Sequence, residues 1–165
     1  MKPSLFACAF GLVSAILLSA RAGAQSTRAG AVRSAQVLYR EVETAIQQRR
    51  VARRDTAVRC PNNGLEAHAS IFADRNHRIR RLDTDGGTED HAERLHTYFD
   101  TLGRARFSFA QRGAVNGTQQ QERVYYDERE LVVRRTVRLV RGPGYPFDTL
   151  TAVPRLTTWI DHLCG

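Results

Sequence analysis

The sequence predicts an α+β fold: a long N-terminal helix packed on an antiparallel meander sheet of about six strands, with a short C-terminal helix. Three observations predict it. The stretch "AVRSAQVLYREVETAIQQRRVA" repeats apolar residues at steps of three and four. Three phrases of one design follow: "SIFADRNHRIRRL", "TYFDTLGRARFSF" and "VYYDERELVVRRT". "PRLTTWIDHLC" then restores helical spacing.

The chain opens as a secretory signal peptide would. Lys2 precedes an almost unbroken apolar run from Leu5 to Leu18, and Ala22-Gly23-Ala24 offers small residues before a cleavage at Gln25. The expected organisation is a signal over 1–24 and one α+β domain over 25–165. The expected location is the periplasm or the exterior, with no integral membrane segment after the signal is removed. Net charge is +8, and losing Lys2 and Arg21 leaves +6. Lys2 is the sole lysine, so every other basic residue except histidine is Arg, a coding bias that weakens a phosphate-recognition argument from composition alone. Export also argues against a nucleic-acid partner.

Ala31, Ala35, Leu38, Val42, Ala45 and Ile46 form one face of a helix over about 31–52, after a frayed start at 25–29. An amphipathic membrane helix is the alternative, but the stripe has no Trp or Phe. "RRDTAVRCPNNG" then reads as loop. The sheet is expected over about 65–140. In each repeated phrase an aromatic or β-branched run leads to an Asp, three turn-like residues and a second run, which is hairpin grammar. Asp74, Asp100 and Asp127 recur 26 and 27 residues apart. Gly103 suits the left-handed residue of a three-residue hairpin loop, His77 tolerates that place, and Glu130 suits it poorly, so the third turn is expected to differ. In the middle copy Leu95, Thr97 and Phe99 are expected to share an apolar face with Ala105, Phe107 and Phe109. His96, Tyr98 and Asp100 would share the wet face with Arg104, Arg106 and Ser108. "DTDGGTEDHAER" and "QRGAVNGTQQQ" read as long polar loops. A C-terminal helix is expected at about 155–163 from Leu156, Trp159, Ile160 and Leu163. Cys60 and Cys164, the cysteines left after export, are expected to form a disulfide.

The repeated Tyr/Phe-Asp-x-x-Gly hairpins, carried by Tyr98-Phe99-Asp100 with Gly103-Arg104, Tyr125-Tyr126-Asp127 with Leu131, and Phe72, Asp74 and Ile79, resemble a loose group of uncharacterised bacterial secreted or periplasmic proteins. The resemblance spans about 65–138. It implies export and a hairpin sheet, and brings no catalytic residues.

No constellation specifies a catalytic site, a metal or a cofactor. Placing Asp83, Asp85 and Gly86 in a calcium-loop register leaves Arg81 and Ala92 at the first and twelfth positions, where ligands are required. His91 and His96 are five apart, off the i, i+4 spacing of a helical metal pair. Asn116-Gly117-Thr118 reads as a turn. The return runs of the hairpins are basic, and Arg78, Arg80, Arg104, Arg106, Arg134 and Arg138 are the candidate ligand-binding residues. The helix is expected to cover one sheet face and the other to hold a ligand. The leading functional reading is an exported, non-enzymatic envelope protein that binds a partner or acts as a scaffold. An arginine-bearing face for anionic lipid, glycan or small molecule is the second, and a hydrolase using His68, His96 or His162 with a carboxylate the third. Partners are accordingly an anionic envelope polymer, a lipid or another envelope protein.

Overall fold

The computed structural model describes residues 11–59, 66–148 and 150, with side chains in the helix from Thr27 onward. One helix, α1 (Gly11–Gln47), packs on a seven-stranded antiparallel sheet. The strands are β1 (Ala52–Arg59), β2 (Glu66–Ala73), β3 (Ile79–Gly87), β4 (His91–Phe99), β5 (Ala105–Ala114), β6 (Gln119–Tyr126) and β7 (Val132–Arg141). They pair in chain order as a pure meander.

Several expectations change. The helix already covers 25–29, since no proline interrupts Gly11–Gln47, and it ends at Gln47 rather than near 52. The sheet has seven strands, not six: "ARRDTAVR" is β1, an edge strand. Its lack of an apolar face hid it, and arginines on an edge discourage further pairing. The two segments read as long loops are mostly strand, joined at Thr88–Asp90 and at Val115–Thr118. Their polar residues are satisfied across the strands, as in Arg94–Asp85 at 2.6 Å and Arg112–Glu122 at 2.9 Å. The expected C-terminal helix and both cysteines lie outside the described residues.

All three repeated turns have one conformation. His77, Gly103 and Glu130 have φ of 59°, 77° and 61°. The Asp before each loop binds the same two backbone N–H groups: Asn76 and Arg78 donate to Asp74, Leu102 and Arg104 to Asp100, and Arg129 and Leu131 to Asp127, all at 2.8–3.0 Å. The third turn therefore does not differ. Glu130 tolerates its left-handed backbone while its carboxylate accepts the Ala105 N–H of the neighbouring hairpin at 2.9 Å.

Each hairpin then carries a bulge one residue into its second strand. Phe72 pairs with Arg81 but Ala73 with Ile79, Tyr98 with Phe107 but Phe99 with Ala105, and Tyr125 with Arg134 but Tyr126 with Val132. The extra residues are Arg80, Arg106 and Val133. One inserted residue inverts the facing of everything beyond it. This corrects the expected partition: Phe107 and Phe109 lie with Tyr98 and His96, while Thr97 and Leu95 lie with Ser108 and Ala110.

Both faces consequently carry core. On one, Leu82, Leu95, Phe99, Val124, Tyr126 and Leu150 form a buried cluster. On the other, Ala35 and Val42 of α1 pack on Tyr98 and Phe107, flanked by Leu38, Ile46, Phe109 and Tyr125. The apolar stripe of α1 is the one that contacts the sheet. The first face also buries charge: Glu122, 1% exposed, lies 2.9 Å from an Arg112 nitrogen and 3.0 Å from Arg135 Nε, the latter an ion pair without hydrogen-bond alignment.

Candidate functional site

The site is built on the helix side, from two cross-strand rows. Through successive register pairs the first row reads Phe72, Arg81, Tyr98, Phe107, Tyr125, Arg134. The second reads Ser70, Asp83, His96, Phe109, Arg123, Thr136. Helix α1 lies over part of this face, leaving a groove along its flank.

One half of the groove is an aromatic trough of about 320 Å³, lined by Ala35, Gln36, Tyr39, Phe107, Phe109, Arg123 and Tyr125. Tyr39 meets Tyr98 and Phe107 edge-on at centroid distances of 5.2 and 5.6 Å, and Phe107 lies 5.0 Å from Tyr125. Such contacts hold the rings in place without filling the space beside them. The Arg123 guanidinium stands 4.9 Å from the Phe109 ring centre. Its one polar side-chain contact among the described residues is a long bond to Gln121, at 3.4 Å.

The trough continues past Gln36 into a shallower pocket of about 370 Å³. Arg28, Ala29, Val32, Arg33 and Gln36 of α1 and Val133 and Arg134 of β7 line it. Three arginines line it, with no carboxylate among the described lining residues. Among the described residues Arg28, Arg33, Arg123 and Arg134 form no ion pair, whereas Arg80, Arg81, Arg104, Arg106 and Arg112 all do.

Beside the trough, toward β3, lies a polar network. Arg81 forks onto Asp83 at 2.5 Å and reaches Glu43 of α1 at 2.7 Å. Tyr98 donates to the same Glu43 oxygen at 2.9 Å. His96 Nδ1 sits 2.7 Å from Asp83, and its ring stacks on Phe109 at 6.2 Å. Burial alone would raise the Asp83 carboxyl, but the hydrogen bonds from His96 and Arg81 outweigh it and hold the group below the usual carboxylate range. Burial pushes the Tyr98 phenol up against the opposing charge of Arg81, and Glu43 adds to the rise. The network is a mutually satisfied clasp between α1 and the sheet. His96 and Asp83 have the relation a hydrolase would use, yet among the described residues no hydroxyl or thiol contacts the His96 ring.

The arginines expected to bind ligand scatter. Arg78 is exposed at the first turn. Arg80 is buried on Glu41 at 3.1 Å, with Asp74 at 3.8 Å. Arg104 and Arg106 both pair with Asp100, at 2.8 and 3.4 Å. Arg134 lines the groove, and Arg138 is exposed further along β7. His68 is exposed on β2, and His162 lies outside the described residues. Sequence reading missed Arg28, Arg33, Tyr39, Phe109 and Arg123. The available signal was i, i+2 spacing: Phe107 with Phe109, and Arg123 with Tyr125, share a strand face. Asp83 and Asp85, weighed as calcium ligands, are strand residues bonded to arginine.

Comparison with known proteins finds no match, whether to a family model, a curated protein or a solved structure.

Proposed function

We propose that this is an exported, non-enzymatic binding protein that takes an anionic amphipathic ligand in the groove between α1 and strands β5–β7. One observation carries the reading: an aromatic trough lies next to four arginines that have no ion-pair partner among the described residues. Unpaired guanidinium groups rimming an apolar cleft favour a ligand that brings both charge and apolar surface. The trough lies near the lower end of the range of about 300–1,000 Å³ for small-ligand sites, a size for one chain or ring system. The hydrolytic alternative rests on the His96–Asp83 contact, but these groups are already engaged in holding the helix to the sheet. Export to the periplasm or exterior rests on the N-terminal signal pattern, and every groove residue lies after the expected cleavage point.

Calorimetric titration with single-chain amphiphiles below their micellar concentration tests the reading. Binding is expected, with Tyr39→Ala weakening it and Arg78→Gln, remote from the groove, leaving it unchanged. Loss of about 1–3 kcal/mol is the scale for removing an aromatic wall. Absence of binding by any charged or neutral chain, with the protein folded, would reject the proposal.

A further inference from the structure

The groove has a direction, and the direction names the ligand class. Its two halves differ in chemistry. The trough is walled by Tyr39, Phe107, Phe109 and Tyr125, while the adjoining pocket draws Arg28 and Arg33 from α1 and Arg134 from β7. The halves share Gln36, and Arg134 is the register partner of Tyr125, so arginine pocket and aromatic wall abut.

The two acids of the adjoining cleft are already committed. Asp100 and Glu41 line the next cleft along α1 together with Arg33. Asp100 is held by Arg104 and Arg106, and Glu41 by Arg80. The pocket's positive charge is thus not cancelled from within. Three planar guanidinium forks converging on one opening match a group with several oxygens and more than one negative charge. A carboxylate offers two oxygens and one charge. A phosphate monoester offers three terminal oxygens and about −1.5 to −2 at neutral pH.

We infer that the physiological ligand is a single-chain phosphate monoester, its phosphate seated among Arg28, Arg33 and Arg134 and its apolar chain lying in the trough toward Phe109. Arg123 closes over the chain side by stacking on Phe109 and does not hold the phosphate. This rests on the groove being the binding site. It adds which end of the ligand goes where and which head group is preferred.

The test compares three probes on the exported chain by calorimetry: dodecyl phosphate, a neutral dodecyl ether of the same chain length, and inorganic phosphate. The phosphate ester should bind at least about tenfold more tightly than the neutral chain, a difference of about 1.4 kcal/mol. Both Arg33→Gln and Arg134→Gln should abolish most of that difference while leaving neutral-chain affinity within about twofold. Because these residues are exposed, the variants should fold, and circular dichroism verifies it. Raising salt should weaken the ester and spare the neutral chain. Equal affinity for ester and neutral chain would overturn the head-group assignment while leaving the groove reading standing. Inorganic phosphate binding as tightly as the ester would also overturn it, since the chain would then contribute nothing. Binding of none of the three would remove the groove reading itself.

Discussion

Asp100 shows how much one residue carries here. Its side chain accepts two backbone N–H groups of its own turn, pairs with Arg104, and faces Arg106 from 3.4 Å. Arg106 is 7% exposed, and its Nε has no hydrogen-bond partner among the described residues, so Asp100 is its main compensation. Asp127 does the same backbone work, but the bulge residue of its hairpin is Val133. Replacing either aspartate with alanine should cost about 0.5–2 kcal/mol for the lost turn bonds, by analogy with helix caps. Asp100→Ala should cost a further 1–3 kcal/mol, roughly, for a buried arginine left short of an acceptor. Denaturant unfolding of the two variants measures the difference. Equal losses would show that the Arg106 contact contributes nothing.

At the scale of elements, the hairpins and the helix were legible because their signals are local. The Asp at each turn, Gly103 and the three-and-four spacing of α1 all act within a few residues. What the sequence concealed was parity. Arg80, Arg106 and Val133 are inserted at bulges that look like ordinary strand positions, and each insertion moves Phe107, Phe109 and their equivalents to the opposite face. The grouping of Arg81, Asp83 and His96 was concealed differently: it follows from the unbulged pairing of β3 with β4, and the segment from Asp83 to Arg94 that makes that pairing reads as a polar loop. Edge strand β1 was concealed for a different reason: a solvent-exposed strand needs no apolar face. The Glu43–Arg81–Asp83–His96 network also sets a pH dependence. The Asp83 carboxyl is held below its unfolded value near 3.9, so its contribution is fully present above that pH and is lost as pH falls through the folded value. The Tyr98 phenol is raised above about 10, so its contribution is present below that pH and is lost as pH rises through the folded value. Stability measured against pH should fall at both ends. Asp83→Asn should flatten the acid limb and leave the alkaline limb in place, and an unchanged acid limb would contradict the assignment.

At the scale of the whole molecule, α1 on a seven-stranded sheet leaves helix-side surface uncovered among the described residues, where the trough lies. That surface is where the aromatic trough meets the arginines that have no ion-pair partner among the described residues. Recognising this from sequence required knowing that Arg28 and Arg33, three residues before and two residues after Ala31 at the start of the apolar stripe, come beside Arg134 about a hundred residues away. Only the packing of α1 across β5–β7 supplies that. Among the described strands β1 and β7 are the edges, and β7 exposes Val137 and Leu139 among its arginines, whose charge discourages further pairing. The most direct test of the groove is aromatic and methyl NMR of residues 25–165 titrated with dodecyl phosphate. Shift changes should concentrate on Tyr39, Phe107, Phe109 and Tyr125, with the opposite-face rings Phe99 and Tyr126 unmoved. Changes centred on Phe99 and Tyr126, with the trough silent, would contradict it.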